Sequence, residues 1–190
     1  MPSPTSPSRT AELAQFLAGL AGSVDQRLLD LATGRLVDTV GSMLYGAEQP
    51  WSRAVIEHAL SSGAIGRSTV IGGREGGTTP VMAALANGAS GHAFELDDVH
   101  EEAINHPGAV VVPAALALAE DLNRTGRDLL EAIVIGYEAM GRAGIAVGPA
   151  AHMLAGFHPT SMSGVFGAAA ASGRLLPTPP GSHRPSGQHR

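Results

Sequence analysis

Three features of this 190-residue sequence predict an all-α fold, a helical bundle. Apolar residues recur at helical spacing along most of the chain. Helix-start signatures precede several of those stretches. The alternation expected of strands with one solvated face is nearly absent, and only RSTVIGG (67–73) has a β-like composition.

The elements follow in order. Residues 1–9, within MPSPTSPSRT, are Pro- and Ser-rich and are expected to be a disordered lead-in. A first helix is expected over 10–21. Ser23 and Gln26 have the spacing of a capping box, in which hydroxyl and amide satisfy the free N–H groups of a first turn. Val24, Leu28, Leu31, Leu36, Val40 and Met43 then approximate one apolar face through Leu44. Helices are expected over 50–61, 79–94, 108–123 and 160–175. Another follows the capping-box pair Thr125 and Asp128, ahead of Leu129, Leu130, Ile133, Val134 and Tyr137. IGGREGGTT (71–79) is a Gly-rich connector, without the Lys-Ser/Thr pair of a phosphate-binding P-loop.

Composition excludes several function classes. A net charge of −5 gives no electrostatic footprint for nucleic acid or an anionic membrane. All 12 basic residues are Arg, and the absence of Cys excludes disulfides and thiolate metal sites. The longest apolar run, GAVVVPAALALA (108–119), is too short to span a bilayer. A soluble, cytoplasmic protein is the default expectation. From 177 to 190 the sequence PTPPGSHRPSGQHR has no acid and no aliphatic residue. It is expected to be disordered, and its abrupt change of composition fits a frameshift product.

Charge is sparse, at 15% of residues, yet FELDDVHEEAINHPG (94–108) holds Glu95, Asp97, Asp98, Glu101 and Glu102 with His100 and His106. Three readings compete: a solvated loop near a helix start, a divalent-metal site, or an acid/base site. The H-E-x-x-H spacing that puts two metal-binding imidazoles on one helical face is absent. NHPGAVVVPAALALAE and GFHPTSMSGVFGAAAAS share a second design, in which His precedes Pro and then small and apolar residues. Pro is preorganised for a first helical turn, so His106 and His158 are expected at helix N-terminal boundaries. Free N–H groups and the positive dipole end attract anions there and disfavour an imidazolium. Two such sites would suit a small polycarboxylate; two independent Pro-started helices with incidental histidines is the competing reading.

The blocks AALANGASGHAFELDDVHEEAINHPGAVVVPAALALAE (83–120), IVIGYEAMGRAG (133–144) and GFHPTSMSGVFGAAAASGRLL (156–176) resemble the MmgE/PrpD family in order and spacing. That family includes 2-methylcitrate dehydratases, cis-aconitate decarboxylases and iminodisuccinate epimerases. The resemblance implies that 10–176 is a partial large helical domain, truncated before an α/β lid domain. It implies His106 and His158 as proton-transfer residues, with Asp98 or Glu95 orienting an imidazole. Asp97, Asn105, Thr160 and Ser161 are the candidate substrate-binding residues. Glu95 stands where the family's acidic motif commonly has Asp, and Val99 where Thr is frequent. The family's lid lysine has no counterpart in a chain without Lys. No metal and no cofactor are implied, and the partners implied are a small polycarboxylate and a second subunit in a homodimer. Two functions follow as expectations: a lyase acting by dehydration or decarboxylation of a small polycarboxylate, incomplete as this chain, or a catalytically inactive truncated fragment keeping only a helical association surface. Gly164 and Gly167, with their Ala-rich neighbours, are the candidates for close helix approach in the second case.

Overall fold

The computed structural model describes residues 8–20, 23–73 and 76–177. Among them are eight helices and one small sheet: α1 (Arg9–Leu20), α2 (Gln26–Gly46), α3 (Pro50–Ser62), β1 (Ile65–Gly66), β2 (Ser68–Thr69), β3 (Gly77–Thr78), α4 (Pro80–Gly91), α5 (Gly108–Asp121), α6 (Gly126–Ala146), α7 (Pro149–Leu154) and α8 (Pro159–Leu175). The all-α expectation stands, and the β-like segment forms only two-residue strands in the antiparallel order β1-β3-β2. Short α7 lacks an apolar period long enough to read from sequence. The expected disorder of 177–190 falls, apart from Pro177, outside the described residues, as does that of residues 1–7.

Local chemistry sets the helix ends. Thr125 and Asp128 form the expected capping box: Thr125 Oγ1 accepts the Asp128 N–H at 3.2 Å, and Asp128 accepts the Thr125 N–H at 3.2 Å. The pair Ser23 and Gln26 does not cap α2. Asp25 does, accepting the Leu28 N–H at 2.9 Å. The Ser23 hydroxyl instead donates to the Leu20 carbonyl at 2.9 Å, closing the end of α1. A carboxylate directly before the first turn also interacts with the helix dipole, which a hydroxyl two residues earlier cannot do.

Helix α5 is the centre of the bundle. Both its faces are apolar, and Val111, Val112, Ala115 and Ala117 are fully buried. It meets α4 on one side and α6 and α8 on the other. The main core joins Met43 of α2, Val111 and Val112 of α5, Ile133 and Met140 of α6, and Ala171 and Leu175 of α8. A second cluster packs Ile56 and Ala59 of α3 against Ala83 and Ala86 of α4 and Ala117 of α5.

Small residues let α6 and α8 lie close together. A Cβ at Gly167 would sit 2.9 Å from Met140 Cβ and 2.9 Å from Val111 Cγ2, and one at Gly164 would sit 3.0 Å from Val110 Cγ1. These glycines therefore serve internal packing and are not part of an outward association face. Gly136 faces them from α6, where a Cβ would overlap Val111 Cγ1 and approach Ala171 Cβ to 3.0 Å. Gly136→Ala is expected to destabilise the chain by about 1–3 kcal/mol through overpacking. Gly173→Ala, with open space around it, is expected to be neutral or stabilising. Urea unfolding midpoints of the two variants measure the difference.

Candidate active site

The candidate site forms where three chain segments meet: the end of α4, the loop 92–107, and the start of α8. The loop is held in shape by backbone as much as by side chains. His100 and Asn105 form an isolated antiparallel bridge, with the His100 N–H donating to the Asn105 carbonyl at 2.8 Å. Two non-glycine residues there have left-handed backbone, Glu95 (φ 51°) and Ile104 (φ 50°). For a β-branched residue such as Ile104 that conformation is costly, so the tight return of the chain is over-determined by its surroundings.

Two polar contacts fasten this loop to α8. The His106 N–H donates to Thr160 Oγ1 at 3.1 Å. Asn105 Nδ2 donates to Ser163 Oγ at 2.8 Å, and Ser163 in turn donates to the Pro159 carbonyl at 2.7 Å. Asn105 and Thr160, expected to touch substrate, are thus buried in the joint between the two His-Pro segments. Ser161 is exposed and donates to the His158 carbonyl at 2.9 Å.

His106 and His158 occupy the expected boundaries. His158 is the N-cap of α8, with Pro159 in its first turn, and His106 precedes Pro107, the N-cap of α5. Between them lies His92, which the sequence reading did not single out. Its ring centroid is 4.8 Å from that of His106 and 5.9 Å from that of His158. His92 caps the C-terminal end of α4, donating its N–H to the Gly88 carbonyl at 3.1 Å. The expected helix over 79–94 would have placed His92 inside the helix; ending it at Gly91 turns the imidazole toward the loop.

Asp97 joins these groups. Its side chain is fully buried, and both carboxylate oxygens lie 3.1 Å from His92 Nδ1. Oδ2 is also 3.3 Å from His106 Nδ1, at an angle short of a well-aligned hydrogen bond. Asp98, expected to orient an imidazole, has other partners: it accepts the Gly108 N–H at 2.8 Å and the Tyr137 hydroxyl at 3.0 Å. It therefore satisfies a first-turn N–H of α5, while the adjacent carboxylate takes the histidines. Glu95 is exposed at the rim and adds negative potential near His92.

The electrostatics follow from this placement. His92 is raised above the ordinary imidazole value of 6.5 by its hydrogen bond to Asp97, against an opposing effect of burial, with the charges of Asp97 and Glu95 adding. The negative end of α4 acts in the same direction. Tyr137 is pushed far up by burial first and then by the Asp98 charge, so it remains a neutral donor. His92, Asp97 and His106 offer donor atoms within 4.8 Å of one another, a set whose chemistry suits a divalent ion such as Zn²⁺ or Fe²⁺. In this arrangement the His92 Nδ1 proton and the Asp97 oxygens already satisfy each other, so a metal would have to displace that bond. A well-formed concavity lies elsewhere, lined by Arg53, Glu57, Leu60, Gly72 and Gly77. It contains none of the site histidines.

A raised His92 value stabilises the folded chain most where the unfolded imidazole is itself protonated. That contribution is complete below about pH 6.5 and is lost as pH rises through the folded value. Thermal midpoints across pH 5.5 to 8.5 are expected to fall less with rising pH in His92→Gln than in the unmodified chain. Parallel profiles would show that His92 does not carry the linkage.

Comparison with known proteins bears on the family of the chain. Residues 11–181 match the MmgE/PrpD N-terminal domain. A cis-aconitate decarboxylase of Aspergillus terreus is 33% identical over 180 residues, 91% of this chain and 36% of the relative. The human cis-aconitate decarboxylase is 32% identical over 174 residues, 89% of this chain and 36% of the relative. A cis-aconitate decarboxylase-like protein of Aspergillus oryzae is 35% identical over 176 residues, 88% of this chain and 36% of the relative. The chain thus spans little more than a third of the length of the curated relatives it matches. With the three motif blocks inside the matched region and the matched domain covering most of the chain, this protein belongs to the MmgE/PrpD family.

Proposed function

We propose that the histidine centre is the proton-transfer part of a lyase site acting on a small polycarboxylate, with cis-aconitate the leading substrate and 2-methylcitrate the next. The observation that carries this reading is the cluster of three imidazoles around one buried carboxylate: His106, from a Pro-started helix boundary, and His92 meet Asp97, and His158, from the second such boundary, lies beside the His92 ring. The names of the relatives support the decarboxylase assignment.

The chemistry needs a base, an acid and a clamp for carboxylates. Decarboxylation breaks a C–C bond, releases CO₂ and leaves an electron pair on carbon, which an imidazolium protonates. Dehydration removes a proton from a carbon beside a carboxylate and gives a proton to the departing hydroxyl, which leaves as water. His106 and His158 are the proton carriers in this reading. His158 is exposed and makes no side-chain cap hydrogen bond, so the first-turn N–H groups of α8 suit one substrate carboxylate. Polar groups from the remaining length of the relatives would complete the clamp.

Purified chain supplied with cis-aconitate, and separately with 2-methylcitrate, is expected to release CO₂ or water. His106→Ala and His158→Ala are each expected to lower turnover about 100-fold or more. A well-folded chain without turnover, or turnover indifferent to both substitutions, would sink the proposal.

A second reading has its own observation. Met162, Val165, Phe166 and Ala169 lie at helical spacing on one exposed face of α8, opposite the buried Ser163, Gly167 and Ala171. An apolar helix face of this kind suits association with a second copy of the chain. Under this reading the unmodified chain sediments as a dimer and Val165→Glu with Phe166→Glu gives a monomer at the same concentration. A monomeric parent chain would remove this reading without touching the first.

A further inference from the structure

We propose that His92 is a positioning residue, which through Asp97 fixes the tautomer and ring angle of His106. The proposal deepens the lyase reading and rests on it for its catalytic meaning, but its structural content stands apart from turnover.

The argument starts from what Asp97 can accept. An ionised carboxylate has acceptor sites only. Any ring nitrogen held against it must therefore present a proton. His92 Nδ1 lies 3.1 Å from both oxygens, and His106 Nδ1 lies 3.3 Å from one of them. His92 consequently carries hydrogen at Nδ1, and so, in this proposal, does His106, whose Nδ1 is the nitrogen nearest the same carboxylate. For a neutral His106 this leaves the lone pair on Nε2, the nitrogen turned away from Asp97, and makes Nε2 the atom that exchanges protons with a substrate.

Balance of charge gives His92 its part. Asp97 is fully buried, and the imidazoles are its only hydrogen-bonding or ion-pairing partners among the described residues. A buried carboxylate in this position calls for one cation. His92 is the better placed of the two, since it engages both oxygens and caps the negative end of α4. With the charge balanced there, Asp97 does not require a second cation. A ring rotation at His106 would turn the 3.3 Å approach of Nδ1 into a full hydrogen bond, a tightening common when a substrate fills a site. A carboxylate setting the tautomer of a catalytic histidine is familiar from other acid/base sites; here a second histidine sets the carboxylate.

Nitrogen-15 spectra of the imidazoles in the intact chain test this without any substrate. His106 is expected to show one tautomer, protonated at Nδ1. His92→Phe is expected to convert the His106 signals to a mixture of tautomers, and Asp97→Asn to do the same. His92→Gln, whose amide keeps the hydrogen bond to Asp97 without the charge, is expected to keep the His106 proton on Nδ1. If His92→Phe does not fold by circular dichroism, the parent spectrum and His92→Gln still decide. A His106 protonated at Nε2 in the parent chain, or a His106 signal unchanged in folded His92→Phe, would overturn the proposal. Where turnover is measurable, His92→Phe should lower it about 10- to 100-fold and His92→Gln much less. Absent turnover with the expected spectra would refute the lyase reading and leave the positioning role intact.

Discussion

The site depends on a single constraint, the burial of the Asp97 carboxylate. An ion removed from water costs several kcal/mol unless charge and hydrogen bonds replace the lost solvation. Asp97 has no accessible side-chain surface, and imidazoles supply its replacement. The loop 92–107 must therefore bring His92 and His106 to the same carboxylate. That requirement accounts for features that would otherwise be expensive: a helix ended at Gly91, left-handed backbone at Glu95 and Ile104, and a tight bridge from His100 to Asn105.

The bundle makes that convergence possible by standing its helices close together. Gly136, Gly164 and Gly167 leave no side chain between α5, α6 and α8, so the loop before α5 reaches the first turn of α8. Asn105 with Ser163, in a buried hydrogen bond, and His106 with Thr160, in a partly buried one, then lock the two segments. Buried bonds of this sort contribute little net stability when made and cost much when left unpaired, so they specify one arrangement rather than several. Packing thereby acts on chemistry: the distance between two helix starts sets the distance between two imidazoles.

Much of this was legible in the sequence. Periodicity gave seven of the helices to within a few residues, because long amphipathic stretches carry the strongest local signal. The His-Pro pairs marked His106 and His158, because proline restricts where a helix can begin. What could not be read was the partner of each carboxylate. Asp97 and Asp98 are identical as letters, and only the direction of the loop decides that one meets histidines while the other caps α5. His92 was missed for a related reason. A histidine at the end of an Ala-rich helix has no local signature, and its role arises from a carboxylate that returns to it through a loop. The Ser23 pair failed differently, since Asp25 competed for the same helix start and a carboxylate wins there.

The division of labour between the two aspartates changes how the helix starts can be used. Two Pro-preceded helices suggested two free anion sites, one for each end of a polycarboxylate. Asp98 already accepts the Gly108 N–H and the Tyr137 hydroxyl, so the start of α5 is furnished with a carboxylate of the chain's own. The helix dipole at α5 is thereby spent on holding the loop, and its influence on a substrate is shielded. At α8 the N-cap is an exposed imidazole that makes no cap hydrogen bond with its side chain. The two histidines are consequently unequal despite their matching motifs: His106 stands over a start filled from within, with its proton position governed by Asp97, and His158 stands at the end open to an incoming anion. This asymmetry suits a reaction that removes a proton at one place and delivers one at another.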